Sequence, residues 1–193
     1  MIERLIFSGS GGQGLMTAGK LLAACAVSEG KYVTYFPSYG SEVRGGTANC
    51  QMVLSDSAVL SPVVEEATVL LLMNQASLER FAPLLAEDGL IVLNSSMIAS
   101  RSVPAGEAKD QWPRMAAPVL AVPATEIAAK IGAVQVANVV MLAALNAAKN
   151  LVAFDTLRDE IRKALRGRRA SLIPANEQAL DAGRAAAAGW PAK

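Results

Sequence analysis

The stretch that decides the fold runs from residue 4 to residue 36 and has the sequence RLIFSGSGGQGLMTAGKLLAACAVSEGKYVTYF. Its opening, Arg4 to Ser8, has the apolar composition of a short buried strand. The turn Gly9-Ser10-Gly11-Gly12-Gln13-Gly14 follows, and apolar residues then recur at helical spacing from Leu15 to Ser28. Tyr32 to Phe36 is rich in aromatic and β-branched residues and predicts a second strand. The order strand, glycine turn, helix, strand is typical of the opening of a βαβ unit.

Two kinds of strand pattern follow this unit. Thr47 to Asp56 alternates apolar and polar residues, which predicts a half-buried antiparallel strand, paired in a hairpin with Ser57 to Leu60. Val69 to Met73 and Leu90 to Leu93 are continuous apolar runs, as central parallel strands require when helices cover both faces. The chain therefore combines a parallel sheet with an antiparallel ribbon.

Helical segments alternate with these strands. Asn74 is the expected N-cap of a helix over Gln75 to Ala86. Residues 127 to 149 have the composition of one or two packed helices, with a break at Gly132. We predict an α/β fold: a single Rossmann-like domain over residues 1–193, with a mostly parallel sheet, helices on both faces and an inserted antiparallel ribbon.

Composition and charge exclude several kinds of partner. Hydrophobic residues make up 52% of the chain and charged residues only 18%, so we expect part of the surface to be buried against another chain. Eighteen basic residues against seventeen acidic ones give a net charge of +1, which provides no overall field for nucleic acid or an anionic membrane. The longest apolar segment, Ala133 to Ala148, is interrupted by polar amides and predicts a core helix rather than a membrane span.

The chain has few residues for metal or nucleophilic chemistry. It contains no histidine, so a Ser–His or Cys–His mechanism would need a histidine from another chain. Its two cysteines, Cys25 and Cys50, are too few for an iron–sulfur cluster or a zinc site, so no metal site is predicted. Buried reduced thiols, and an N-terminus that runs directly into a strand without a signal peptide, favour a cytoplasmic location.

The first glycine turn has the G-x-G-x-x-G pattern between a strand and a helix. Such a turn allows close backbone approach, and the following helix offers unpaired N–H groups to an anion. Dinucleotide sites also need a carboxylate about 20 residues on, yet Val33 to Ser38 contains none, and the nearest are Glu29 and Glu42. The turn therefore favours another phosphate or acidic ligand, a partner's backbone, or simple packing of a helix on a sheet.

A second glycine-rich segment, Tyr39-Gly40-Ser41-Glu42-Val43-Arg44-Gly45-Gly46, is the more specific of the two. Arg44 beside paired glycines could bind a carboxylate or phosphate at close backbone approach. The alternative is a turn in which Glu42 and Arg44 are only solvated.

Together these segments resemble the gamma subunit, or gamma domain, of the pyruvate and 2-oxoacid:ferredoxin oxidoreductase family, which includes the related indolepyruvate oxidoreductase beta subunit. The resemblance continues in the same order across nearly the whole chain. Its segments are Gly9 to Gly14, Tyr39 to Gly46, Pro123 to Ala128, Asn138 to Leu142 and Ile173 to Ala179.

This resemblance implies a subunit that performs no complete chemistry alone. In the family, alpha, beta and, where present, delta subunits hold thiamine pyrophosphate and the iron–sulfur clusters. The assembled enzyme oxidatively decarboxylates a 2-oxoacid to an acyl-CoA and reduces ferredoxin. The residues of this chain agree with that division of labour. The chain has no G-D-G motif followed by a distal Asn-Asn pair, the pattern that thiamine enzymes use to bind the diphosphate and its metal. A general or 2-oxoglutarate type is favoured, and a homodimer of the isolated chain is an expectation.

The resemblance also implies no catalytic residue and no firmly bound cofactor on this chain, but a contact with coenzyme A or with a partner's acidic group. Two other classes of function stay open, namely a stand-alone Rossmann-type nucleotide-binding protein and a purely structural assembly subunit. The residues expected to make the contact belong to the two glycine segments: Gly9, Gly11, Gly12, Gln13, Gly14, Glu42, Arg44, Gly45 and Gly46.

Overall fold

The computed structural model describes residues 1–38, 47–59, 61–98 and 117–190. Within these residues the chain forms one six-stranded sheet with six α-helices packed around it. The strands are β1 (Ile2–Ser10), β2 (Tyr32–Ser38), β3 (Thr47–Ser55), β4 (Ala67–Leu72), β5 (Leu85–Asn94) and β6 (Val119–Val122). The helices are α1 (Leu15–Ser28), α2 (Gln75–Phe81), α3 (Ala124–Ile131), α4 (Ala137–Lys149), α5 (Phe154–Ala164) and α6 (Ile173–Ala186).

The strand order is β2-β3-β1-β4-β5-β6. The pairs β1–β4, β4–β5 and β5–β6 are parallel, whereas β3 is antiparallel to both of its neighbours, β1 and β2. The prediction of a mostly parallel sheet with an inserted antiparallel ribbon is therefore confirmed. The opening strand–helix–strand segment is not a simple βαβ unit, because β3 lies between β1 and β2 in the sheet.

The predicted hairpin partner of β3 is wrong. Residues 57–59 form no strand, and Leu60 lies outside the described residues. Instead β3 pairs along its whole length with β1, from Ser10 opposite Thr47 to Ile2 opposite Ser55, and its other edge pairs with β2. Both edges of β3 are thus already hydrogen-bonded, which leaves no edge for a third strand.

The helix predicted over Gln75 to Ala86 is too long. The N-cap is confirmed, because the Asn74 side chain accepts a hydrogen bond from the Ser77 amide at 2.9 Å. However, α2 ends at Phe81, a 3₁₀ turn spans Ala82–Leu84, and β5 begins at Leu85. Pro83 explains the difference, since proline lacks an N–H group and cannot continue an α-helix.

Helices cover both faces of the sheet, as predicted, but unequally. On one face Leu5 and Phe7 of β1 belong to a large core with residues of α1, α3 and α4, and α5 and α6 pack against these helices. On the other face Ile6 belongs to a smaller core with Leu78 and Phe81 of α2. The alternation of side chains along β1 therefore separates the two cores.

The apolar helix α4 is buried on nearly all sides, between the sheet and α6. Its polar residues are satisfied internally. Asn146 is fully buried, and its side-chain amide exchanges two hydrogen bonds with the Val152 backbone, at 2.8 and 3.0 Å. None of the described helices is both long and apolar enough to span a membrane.

Candidate functional site

The glycine turn lies where the parallel strands end. Residues 11 to 14 connect β1 to α1, at the same edge of the sheet as the carboxyl end of β4. The Met73 amide donates to the Ser8 carbonyl at 2.9 Å, which extends the pairing of the two strand ends. In open α/β sheets, ligands bind at this edge, beyond the carboxyl ends of the strands.

The turn holds itself together through one side chain. The Ser10 amide donates to Gln13 Oε1 at 2.6 Å, and the Gln13 amide donates back to the Ser10 carbonyl at 3.3 Å. A Cβ atom on Gly9 would lie 2.5 Å from Gln13 Oε1 and 2.7 Å from Met73 Cβ, and the latter atom cannot move without the strand end, so this position favours glycine. Gly12 and Gly14 have φ values of 89° and 75°, which favour glycine.

Two asparagines from other parts of the chain fix the ends of the turn. Asn138 at the start of α4 donates from Nδ2 to the Gly14 carbonyl at 2.9 Å, and a Cβ atom on Gly14 would lie 2.5 Å from that nitrogen. Asn74 donates to Ser10 Oγ at 2.7 Å. In the sequence, Asn138 was one of the polar amides of the apolar run Ala133 to Ala148 and began the segment Asn138 to Leu142 of the family resemblance. Neither signal identified Gly14 as its partner.

The helix that follows the turn, α1, begins without a capping side chain. Gly14 is the N-cap of α1, with no side-chain capping bond and no acidic residue in the first turn. The partial positive charge at this helix end favours an anion. Gly12 is exposed beside it, so the backbone can be approached from solvent.

Among the described residues, the arrangement does not complete a dinucleotide site. The strand that would carry the ribose-binding carboxylate, β2, ends in Phe36, Pro37 and Ser38. Moreover β3 separates β2 from β1, so the strand next to the glycine turn is β3, with Thr47 opposite Ser10. Both findings weigh against the Rossmann-type nucleotide reading.

The second glycine-rich segment, residues 39–46, lies outside the described residues, and so do the predicted site residues Glu42, Arg44, Gly45 and Gly46. The residues on either side of it are described. Ser38 pairs with Asn49, and Thr47 pairs with Ser10 of the first glycine turn. Arg80 also contacts this position, donating to Thr47 Oγ1 at 3.0 Å. Of the described residues that flank the segment, Thr47 therefore lies beside the first glycine turn, whereas Ser38 lies across β3 from β1.

Two cavities adjoin the turn, and neither was predicted from the sequence. The larger, of about 500 Å³, lies between α1, α4, α5 and the 3₁₀ segment Gly167–Leu172. The smaller, of about 250 Å³, lies at the carboxyl edge of the sheet and includes Met73 and Met97. Gly12 and Gln135 line both, so the cavities meet at the glycine turn. Sequence patterns could not show them, because their lining comes from segments far apart in the chain.

The cysteines do not fit a cluster or a metal. Cys25 and Cys50 are fully buried free thiols, as predicted. Burial raises the pKa of each thiol to about 12, and the nearby Glu160 carboxylate adds to the effect at Cys25. No three His, Cys, Asp or Glu side chains in the described part of the chain cluster as metal ligands would. A thiol with so high a pKa is a poor ligand or nucleophile at neutral pH.

The chain matches the family model described as pyruvate ferredoxin/flavodoxin oxidoreductase over residues 4–186. It is 39% identical over 182 residues to the ketoisovalerate oxidoreductase subunit VorA of Methanothermobacter thermautotrophicus. That match covers 93% of this chain but 35% of VorA, so the chain spans about a third of the length of this relative.

Two other relatives have lengths close to that of this chain. The 2-oxoglutarate synthase subunit KorC of Methanocaldococcus jannaschii is 29% identical, with 83% of this chain and 82% of KorC covered. The crystal structure of the keto/oxoacid ferredoxin oxidoreductase gamma subunit from Geobacter sulfurreducens superposes with a TM-score of 0.78 at 26% identity, covering 96% of this chain and 98% of that one. With strand order, glycine turn and family model in agreement, this chain belongs to the pyruvate ferredoxin/flavodoxin oxidoreductase family.

Proposed function

We propose that this chain is the gamma-type subunit of a 2-oxoacid:ferredoxin oxidoreductase. The complex would oxidatively decarboxylate a 2-oxoacid to an acyl-CoA and transfer the electrons to ferredoxin. The observation that carries the proposal is the end-to-end match to relatives of similar length that are named as subunits of such enzymes. The proposed location is the cytoplasm.

The residues of the chain support a division of labour with partner chains. Two buried thiols and no histidine cannot hold an iron–sulfur cluster, and the chain lacks the residues that thiamine enzymes use for the diphosphate. We therefore assign thiamine pyrophosphate and the clusters to alpha and beta subunits, with a delta subunit where one is present. The side-chain pocket for the 2-oxoacid would then also lie in the partners, and we favour a 2-oxoglutarate or general 2-oxoacid type.

Within the complex, we assign the two glycine segments to a contact with coenzyme A phosphates or with an acidic group of a partner. The uncapped start of α1 and the exposed Gly12 provide backbone N–H groups for an anion. Thr47, the first described residue after the second glycine segment, lies opposite Ser10 of the same turn. The segment includes Arg44, and an arginine can form two parallel hydrogen bonds to a phosphate or carboxylate.

Purification of the complex tests the proposal. The chain would be tagged in its native cells, purified without oxygen and analysed for the chains that accompany it. We expect stoichiometric partners with thiamine and cluster motifs, and CoA-dependent dye reduction with one of pyruvate, 2-oxoglutarate, 3-methyl-2-oxobutanoate or indolepyruvate. Recovery of this chain alone, folded and carrying a bound dinucleotide, would instead support the nucleotide-binding alternative.

The assignment of Arg44 has its own test in the purified complex. We expect Arg44→Ala to raise the CoA concentration needed for half-maximal rate by about tenfold, since it removes a charge-assisted hydrogen bond, while thiamine binding stays unchanged. Arg168→Ala, an exposed arginine outside the glycine segments, is the matched control. An unchanged CoA requirement in Arg44→Ala would exclude the contact, and loss of assembly in glycine-turn variants without loss of any ligand would favour a purely structural role.

A further inference from the structure

The larger cavity beside the glycine turn combines an apolar floor with a cationic rim. Its buried floor includes Leu21 of α1, Val139 of α4 and Ile161 of α5. Its rim carries the exposed cations Lys20 and Arg169. At about 500 Å³ the cavity is far larger than an inorganic ion needs and lies within the range of small-molecule sites.

The charges around the cavity are unbalanced. Within the described residues, neither the Lys20 nor the Arg169 side chain forms an ion pair or a hydrogen bond. Glu160 is the one carboxylate among the described lining residues. It is already engaged, because it accepts hydrogen bonds from Lys163 at 2.6 Å and Ser28 at 3.1 Å. The Lys163 ammonium holds the pKa of Glu160 below its usual range, so this carboxylate is ionised and paired. The cavity therefore has two cations that no carboxylate of the described residues neutralises.

Polar groups in the lining accompany these cations. Gly12 and Gly14 bring backbone from the start of α1, and Asn176 comes from the first turns of α6. Neither α1 nor α6 has an acidic residue in its first turn. The lining thus combines two cations and backbone polar groups with buried aliphatic side chains. This combination suits a ligand that has both an anionic group and an apolar body.

We propose that this cavity binds an organic anion with an apolar body, with its charged group between Lys20 and Arg169 and its body over Leu21, Val139 and Ile161. Inorganic phosphate would reach the cations but leave the apolar floor exposed to water, and a neutral apolar molecule would leave the cations unpaired. The cavity shares Gly12 with the turn that we assign to a contact in the complex. The inference concerns the chain itself and does not depend on the identity of the assembled enzyme.

A fluorescent organic anion provides the test on the purified full chain. We expect 8-anilinonaphthalene-1-sulfonate to bind at one saturable site. Arg169→Gln and Lys20→Gln should each weaken this binding by about tenfold, the effect of losing one charge-assisted contact. Arg168→Gln is the matched control, because this neighbour is also exposed but does not line the cavity. Unsaturable binding, or equal weakening in the control, would overturn the proposal.

A second variant fills the cavity without touching the core. Ala164 is exposed at the end of α5 and lines the cavity, so Ala164→Leu should abolish binding while the melting temperature stays unchanged. Competition then identifies the ligand chemistry. Displacement of the probe by adenosine monophosphate indicates a phosphate ligand, and displacement by octanoate indicates a carboxylate. Displacement by inorganic phosphate as effectively as by either organic anion would contradict a role for the apolar floor. Because no partner chain takes part, this result is independent of whether the complex assembles.

Discussion

Single residues set the closest approaches in this fold, and Gly183 is the clearest example. It lies in α6, buried against α4, where a Cβ atom would be 2.2 Å from the Val140 carbonyl oxygen and 2.7 Å from the Ala143 Cβ. The carbonyl belongs to the helix backbone and cannot move aside without displacing α4. The distance between the two helices therefore depends on the absence of a side chain at this position.

The variant Gly183→Ala should be destabilised by about 1–3 kcal/mol, because overpacking at this contact outweighs the better helix propensity of alanine. Urea unfolding would measure the free-energy difference. Ala185→Gly, at an exposed position of the same helix, is the control and should lose about 1 kcal/mol through propensity alone. Stabilisation of Gly183→Ala would show that α4 and α6 are less tightly packed than the structure indicates.

The two buried thiols make a second residue-level prediction, on alkaline stability. Burial raises the pKa of Cys25 and Cys50 to about 12, above the value near 9 of an exposed thiol. Above pH 9 the unfolded chain releases these protons while the folded chain keeps them, so stability should fall as pH rises from about 9 to 12. Each thiol contributes a slope of about 1.4 kcal/mol per pH unit in that window.

Urea unfolding at a series of pH values measures this slope. Cys50→Ala should remove one thiol's share of the slope, whatever its effect on stability at pH 7. Alkylation by iodoacetamide at pH 8 gives an independent check, since both thiols should react in urea and neither should react in the native chain. A slope that is the same in the wild type and the variant would contradict the assigned pKa.

At the scale of elements, the short helix α2 is tied to the glycine turn by one side chain. Asn74 caps α2 through its oxygen and donates to Ser10 Oγ through its nitrogen. Arg80 in the last turn of α2 donates to Thr47 at the start of β3. The strand ends β1, β3 and β4 are therefore held together at the candidate site by α2.

Substitution of Asn74 should separate its role as N-cap of α2 from its hydrogen bond to Ser10. Asn74→Ala should cost about 1 kcal/mol of stability, the usual effect of losing an N-cap, while Asn74→Asp should cost much less because it keeps the capping oxygen. Denaturant unfolding of both variants measures the difference. Equal losses in the two variants would mean that the hydrogen bond to Ser10, rather than the cap, stabilises this region.

At the scale of the whole molecule, the position of β3 determines what the glycine turn can bind. In a dinucleotide-binding fold the strand next to β1 is parallel to it and ends in a carboxylate at the ligand. Here β1 is parallel to β4 on one side, but its neighbour on the other side is the antiparallel β3, which begins at the ligand edge with Thr47. Within the described residues, this chain therefore has the glycine turn without a carboxylate at the position of the ribose contact.

The isolated chain should accordingly show no saturable binding of NAD or FAD at micromolar concentrations. Isothermal titration of the purified chain with each dinucleotide checks this expectation. A known Rossmann-type dehydrogenase, titrated under the same conditions, is the positive control. Tight binding of either dinucleotide would contradict the interpretation that the glycine turn is not a dinucleotide site. It would favour a nucleotide-binding protein over an oxidoreductase subunit.

Much of this organisation was predictable. The glycine turn between β1 and α1, the cap at Asn74 and the apolar parallel strands follow from local patterns of spacing and composition, which act over a few residues. The end of α2 was predicted less well, because the apolar pattern continued past Pro83 into β5. The hairpin with residues 57–60 was wrong because alternation predicts a strand but does not identify its partner.

The sequence by itself therefore determined the fold class, the tight glycine turn and the family, and it predicted no metal site. The tertiary structure decided that β3 lies between β1 and β2, that Asn138 and Asn74 hold the turn, and that Lys20 and Arg169 line one cavity. The physical reason is the range of the interactions. Turns, caps and amphipathic patterns depend on neighbours along the chain. Strand order and cavities depend on contacts between residues far apart in the sequence, such as Thr47 with Ser10 and Asn138 with Gly14.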